Sequence, residues 1–357
     1  MKSLLVTGAG GSAGHNVCWS LRVGKTGKDF LITGTDSDPT SLELNMWLDG
    51  AFHLPRATDA DYVHSLNRVI EKRHIDAMFP QPDIEVGKVS RERARIRTTV
   101  FLPDEATVSI CLDKFQAITR WSEIGLRQKP TVLSMNHKEL DGVLRKLTYP
   151  CWIRAREGAG GLLSCLASNA KIAAHWLRFH WEQGIKTDFV VEEYLPGRDY
   201  CFMSLWNHGS LVTSMVRERL NWVGHRLIGT GGTSSLNRVV HSDKVNNNAL
   251  RAIDAITRSP HGVFCVDLKE DSEGSPRPTE INCRFTTNVH YLALASISLG
   301  HPEWNFPWVA SQIATQAEIP KCVKTNALPA DLWFTKNTDM GFTMIQGERW
   351  KASELLD

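Results

Sequence analysis

The sequence contains no CxxC pair, no internal repeat, no low-complexity tract and no apolar run near the ~20 residues a membrane span requires. Its eight cysteines, from Cys18 to Cys322, are scattered, several of them inside apolar strand-like runs. That spacing excludes a disulfide framework and a clustered zinc site, and predicts buried, reduced thiols. A one-sided charge is also missing. Forty-one Lys and Arg face 39 Asp and Glu, a formal charge of +2, too balanced for a chain built mainly to hold nucleic acid. The opening apolar run, Met1 to Thr7, breaks into glycines too early for a signal peptide and reads as a strand. The cytoplasm is the expected compartment, with no membrane partner.

What is present is enough apolar residue, 42% of 357, for two or three full-sized cores. Residues 1–107 alternate strand and helix. Ser3–Thr7 is a buried strand, a helix pattern follows through Val17 and Leu21, and Phe30–Asp36 is a second strand. Tyr62–Arg73 is an amphipathic helix, Asp76–Pro80 a third strand, Asp83–Arg95 a helix and Thr99–Leu102 a strand. Such alternation implies a mainly parallel sheet. A second unit, 108–185, has a helix capped by Asp113, another at His137–Leu147, a strand at Cys151–Arg154, a strand at Leu162–Ala167 and a helix capped by Asn169. A third, 186–310, is strand-rich, with Asp188–Glu193, Asp199–Trp206, Leu211–Arg219, Val263–Leu268 and Pro278–Asn282 as strands. Asn246–Arg258 and Thr286–Ser298 read as its helices. The segment 311–357 carries no clear pattern.

Several stretches carry chemistry. Gly8-Ala9-Gly10-Gly11-Ser12-Ala13-Gly14 lies between a strand and a helix, with Asp36 closing the next strand. Backbone amides at such a turn can hold an anion, so NAD is one reading. The plainer one is a Rossmann-like scaffold with a tight turn. Asp267 lies on one strand, and Glu280 and Asn282, two apart, point from one face of the next. Two carboxylates and an amide oxygen suit Mg²⁺; the alternative is the wet face of a sheet. Gly158, Gly160 and Gly161 could offer amides to phosphates, with Lys114 and Arg154 supplying positive charge. The run Val190 to Gly197 could present backbone to a base and a carboxylate to a ribose, or be an ordinary strand-to-turn junction.

In this order the pieces resemble the ATP-grasp superfamily, specifically its carbamoyl-phosphate-synthase-like carboxylate–amine ligases. The resemblance runs from Leu4 to about Ser298 and rests on Thr7–Gly11, Gly34–Pro39, Phe79–Glu85, Cys111–Lys114, Pro150–Gly161, Glu192–Asp199, Asp267 and Glu280–Arg284. It implies a Rossmann-like leading domain followed by a two-lobed ATP-grasp fold, of class α/β and α+β. It divides the chain into a leading domain (1–107), a small lobe (108–185), a large lobe with the metal site (186–310) and a C-terminal extension (311–357). It implies that Lys114 and Arg154 contact ATP phosphates under Gly158, Gly160 and Gly161. Glu192, Glu193 and Leu195 would line the adenine pocket, and Asp199 would approach the ribose. Asp267, Glu280 and Asn282 would hold Mg²⁺, with Mn²⁺ as a substitute. Arg284 would steady the transferring phosphate, and Arg217 and Arg219 would face the substrate. Residues 224–236 would form a lid. The implied partners are ATP, a small anionic carboxylate and an amine, in a homodimer.

The chain departs from that pattern at Arg154, where lysine is usual, and at Asp199, one methylene shorter than the usual glutamate. Cys283 stands at a common proline position. A non-catalytic nucleotide-binding protein and an NAD-dependent oxidoreductase are the competing expectations.

Overall fold

A computed structural model describes residues 1–134, 140–158, 161, 163–223, 232–337 and 341–346. The chain begins with β1 (Lys2–Thr7), α1 (Ser12–Arg22), β2 (Phe30–Asp36), α2 (Pro39–Glu43), β3 (Gly50–His53), α3 (Tyr62–Arg73), β4 (Ala77–Phe79), α4 (Asp83–Arg91) and β5 (Thr99–Val100). The five strands form a parallel sheet in the order β3-β2-β1-β4-β5. Alternation along β1 explains how it is covered. Leu5 packs in one core with Leu66 and Ile70 of α3, while Leu4 and Val6 pack on the other side with Val17 and Leu21 of α1.

Next come α5 (Glu105–Leu112), α6 (Lys114–Glu123), β6 (Thr131–Leu133), α7 (Leu140–Lys146), β7 (Cys151–Ala155), β8 (Cys165–Ala167), α8 (Ala170–Glu182) and β9 (Phe189–Glu193). Their four strands make an antiparallel sheet, β6-β9-β7-β8. Two expected caps are present. Asp113 accepts from the Phe115 and Gln116 amides, and Asn169 accepts from the Ile172 amide, at the starts of α6 and α8.

The remainder holds β10 (Asp199–Asn207), β11 (Ser210–Trp222), β12 (Ser234–Val240), α9 (Asp243–Asp254), β13 (Gly262–Glu270), β14 (Pro276–Asn282), α10 (His290–Leu299), α11 (Phe306–Ala314), β15 (Leu332–Asn337) and β16 (Gly341–Gln346). Its seven strands form one antiparallel sheet in the order β14-β13-β10-β11-β12-β15-β16. The register between β13 and β14 shifts from Asp267 opposite Glu280 to Leu268 opposite Pro278, so Thr279 is an extra, bulged residue.

Some elements differ from expectation. The first sheet has a fifth strand, β3, whose four residues are too few to show alternation. The helix from Asp83 stops at Arg91 and gives way to a 3₁₀ turn at Arg93–Arg95. Of the expected lid, residues 224–231 lie outside the described ones. Ser234 and Leu236 are in β12, paired with Trp222 and Asn221. The C-terminal segment supplies β15, which pairs with β12 and extends the large sheet. No helix among the described residues is long and apolar enough to cross a membrane.

Candidate active site

The four-stranded sheet and the β14 end of the large sheet enclose a cleft of about 400 Å³. From the four-stranded sheet, Trp152 of β7, Leu166 of β8, and Tyr194 and Leu195 just after β9 give apolar and aromatic walls. From the large sheet, Asp199, Arg219, Asp267 and Glu280 bring charge from four strands. Small-molecule sites commonly combine apolar walls with a few convergent polar groups, in this volume range.

Asp267 and Glu280 are cross-strand partners, so their side chains share one face, and Asn282, two residues on from Glu280, belongs to that face. Asn282 is not among the cleft-lining residues. Both carboxylates are partly exposed, at 19% and 22% of the side chain, and so accessible to a ligand. Among the described residues, no three His, Cys, Asp or Glu side chains gather where they could hold a metal. A cation here would take two carboxylates and a non-carboxylate third donor. Oxygen-only donors of this kind fit a hard divalent cation.

Lys114, at the start of α6, is not among the cleft-lining residues but contacts one of them. Its amide donates to the Arg156 carbonyl at 3.0 Å, and its ammonium donates to the Gly158 carbonyl and lies 3.7 Å from Glu280. The helix start is fixed by a fork the sequence reading missed. Arg156 grips both oxygens of Asp113, with Nη2 at 2.6 Å from Oδ2. Burial opposes ionisation of Asp113, but the bonds from Arg156 and Gln116 outweigh it and hold the carboxyl below its ordinary range.

Arg154 lies 2.5 Å from Glu192 and 3.7 Å from Glu280, and donates to the Thr279 carbonyl. Thr279 is the bulged residue of β14. Beside it lies Arg127, also unforeseen, whose side chain has no solvent exposure. It donates to Glu192 at 2.8 Å, to Glu193 at 2.7 Å and to the Pro278 carbonyl at 2.8 Å. Two arginines and two glutamates therefore clasp β9 to β14. This satisfies charges that would be costly to bury singly. Arg127 sits between a helix and a short strand, in no recognisable motif; no local sequence signal marks it.

Arg219 is paired with Asp199 at 2.6 Å and Asp267 at 3.1 Å, with Trp222 under its guanidinium. Burial disfavours its charge, but these two carboxylates more than compensate and raise its pKa above the ordinary value. Two other expected site residues are turned elsewhere. Arg217 is buried against Ser234 and Asn237. Arg284 donates to Asp83, on the first turn of α4 in the leading unit, and to the Phe285 carbonyl. Neither lines the cleft. Gly161 does, Gly158 does not line it but accepts from Lys114, and Gly160 lies outside the described residues.

The first glycine turn is occupied by the protein itself. A Cβ on Gly8 would lie 2.3 Å from Pro82 Cγ, one on Gly10 would lie 2.8 Å from the Ser41–Leu42 backbone, and one on Gly14 would lie 2.2 Å from the Gly8 carbonyl. The turn's amides are used too: Ala9 donates to the Thr35 carbonyl, Gly10 to Asp36 and Gly11 to the Gly8 carbonyl. Packing accounts for these glycines without a dinucleotide.

This architecture, a parallel leading sheet followed by two antiparallel lobes around a charged cleft, is the ATP-grasp fold. No family model matches the chain. It is 22% identical over 205 residues to the alpha-aminoadipate–LysW ligase LysX of Sulfurisphaera tokodaii, covering 54% of this chain and 69% of that protein. Among solved structures it matches the L-amino acid ligase from Bacillus licheniformis with a TM-score of 0.67 at 14% identity, over 94% of this chain and 79% of that one. The N5-carboxyaminoimidazole synthetase of Staphylococcus aureus, complexed with ADP, matches with a TM-score of 0.69 at 17% identity, over 94% and 82%. The biotin carboxylase domain of the Hydrogenobacter thermophilus 2-oxoglutarate carboxylase, a dimer holding MgADP, matches at 0.65 and 14%, over 93% and 73%. Identities this low establish a shared fold.

Proposed function

We propose that this protein is an ATP-dependent ligase that activates a carboxylate as an acyl phosphate, releases ADP, and joins the acyl group to an amine. One observation carries the reading. A single cleft combines apolar and aromatic side chains fit for a base with two carboxylates, Asp267 and Glu280, that have Arg219, Lys114 and Arg154 beside them. The ligases and carboxylases that share the fold, one with ADP and one with MgADP, support it.

The reaction brings a carboxylate to a phosphate, anion against anion, so fixed positive charge and positioning must supply most of the catalysis. In this reading Trp152, Leu166 and Leu195 hold the base, with Glu192 and Glu193 behind it. Lys114 and Arg154 offset the charge of the phosphates, helped by amides at Gly158, Gly160 and Gly161. Asp267, Glu280 and Asn282 would hold Mg²⁺, for which Mn²⁺ could substitute, and the cation would neutralise charge on the phosphates. Arg284, released from Asp83, and Arg217 are the remaining cations proposed to meet the reacting groups. The units 1–107, 108–185, 186–310 and 311–357 are proposed as leading domain, small lobe, large lobe and extension, assembled as a homodimer.

The test is a hydroxylamine trap with ATP, Mg²⁺ and a panel of amino acids and other carboxylates, recording hydroxamate and ADP. Hydroxamate with ADP for one acid establishes the chemistry and names the donor. A second reading, a non-catalytic nucleotide-binding protein, is favoured by one feature: the Arg154 guanidinium is already engaged by Glu192 and the Thr279 carbonyl. Calorimetric binding of Mg²⁺-ATP with no turnover across the panel would select it.

A further inference from the structure

Asp199 begins β10, opposite Lys269 of β13 on one side and Arg219 of β11 on the other. Its carboxylate accepts from Arg219 Nε at 2.6 Å, and Nη1 of the same guanidinium donates to Asp267 Oδ2 at 3.1 Å. Nη2 donates to the Tyr200 carbonyl at 3.1 Å, and the Trp222 ring lies 5.3 Å from the guanidinium carbon. The guanidinium is thus held on three arms and one face. All three charged side chains are largely withdrawn from water, at 11% exposure for Arg219, 13% for Asp199 and 19% for Asp267.

An arginine touching a metal-binding carboxylate has two opposed effects. It fixes the carboxylate's direction, which favours binding, and it places a positive charge beside the cation, which opposes it. Asp199 removes the second effect. Counted together, Asp199, Arg219 and Asp267 carry one net negative charge, so Asp267 is oriented without being neutralised. Among the described residues the bond falls on Oδ2 of Asp267, and in the proposed site Oδ1 would be the oxygen offered to the cation.

We propose that Asp199 is a positioning residue of the cation site, acting through Arg219 on Asp267, and that its shortness relative to glutamate belongs to this role. This inference rests on the proposed metal site at Asp267 and Glu280. It differs from a ribose contact in what it predicts. A ribose contact sets nucleotide affinity with or without metal; the positioning role sets metal affinity with or without nucleotide.

The experiment titrates Mn²⁺ into the full-length protein, following the free-ion electron paramagnetic resonance signal, for wild type, Asp199→Asn and Asp199→Glu. A parallel calorimetric series measures ATP and 2′-deoxy-ATP in EDTA. The expected result is Mn²⁺ affinity weakened about tenfold or more in Asp199→Asn and recovered only in part by the charge-keeping but longer Asp199→Glu. Metal-free nucleotide affinity and the preference between ATP and 2′-deoxy-ATP should stay as in wild type. Thermal unfolding without metal confirms that both variants are folded. Unchanged Mn²⁺ affinity, with wild type binding normally, overturns the proposal alone. Loss of the 2′-deoxy preference with Mn²⁺ affinity intact overturns it in favour of a ribose contact. Absence of Mn²⁺ binding in wild type overturns the metal site itself and the proposal with it.

Discussion

The turn after β1 and the cleft between the two antiparallel sheets make opposite use of their sequence. The turn is rich in glycine and looks built for a ligand, yet Pro82, Ser41 and Leu42 occupy the space those glycines leave. The cleft draws its charge from Arg127, Arg154, Glu192 and Glu280, residues far apart in the chain that meet within 3.7 Å. A contiguous motif reports a backbone shape, and a ligand is only one of the things that shape can accommodate. Convergent charge has fewer innocent explanations, because burying it unpaired is costly.

The contrast can be broken at either end. Glu280→Gln should have the largest effect: ADP formation lowered by about 100-fold or more, in a protein whose thermal unfolding is little changed. Undiminished ADP formation would remove Glu280 from the cation site. Arg127→Met leaves Glu193 without its arginine and Glu192 with Arg154 alone, so urea unfolding should report a loss of about 3 kcal/mol. A loss below about 1 kcal/mol would mean that the clasp contributes little and that the two lobes are held by packing.

The leading unit has one buried charge of its own. Burial raises the Glu85 carboxyl to about 7, and the Asp36 charge adds to this against the nearby Thr7 and Tyr62 hydroxyls. Its pKa is higher folded than unfolded, so between about pH 4.5 and 7 the folded state keeps a proton that the unfolded state releases. Stability should therefore fall as pH rises through that window, by about 3 kcal/mol in all, and level off above it. Glu85→Gln should flatten that slope, as read from urea midpoints against pH; a slope identical to wild type would assign it to other groups. The smallest effect is expected for Gly14→Ala. A Cβ there meets the Gly8 carbonyl at 2.2 Å, and the strain should lower stability by about 1–3 kcal/mol. Mg²⁺-ATP affinity should not move, and a specific loss of nucleotide binding would return the turn to the list of ligand sites.

Much of the fold was legible for local reasons. Asp113 and Asn169 announce helix starts because a short acceptor side chain ahead of an apolar period has few better uses. Asp267, Glu280 and Asn282 could be aligned because strand periodicity fixes their face once β13 and β14 pair. The strand β3 and the joining of β15 to β12 were not legible, since a four-residue strand shows no period and pairing between distant segments leaves no local trace. Arg127 and Arg156 were missed for the same reason, and Arg217 and Arg284 carry motif positions but are engaged by Ser234, Asn237 and Asp83.

By itself the sequence determined the order of the longer elements up to β14, the parallel leading sheet, the caps and the pair of carboxylate strands, because each follows from spacing along one or two neighbouring segments. Only the tertiary structure decided that Gly8, Gly10 and Gly14 of the turn are required by packing, that two arginines clasp β9 to β14, and that Asp199 faces Arg219. Those depend on which distant side chains share a buried volume and must neutralise one another there, and spacing along the chain carries no record of that.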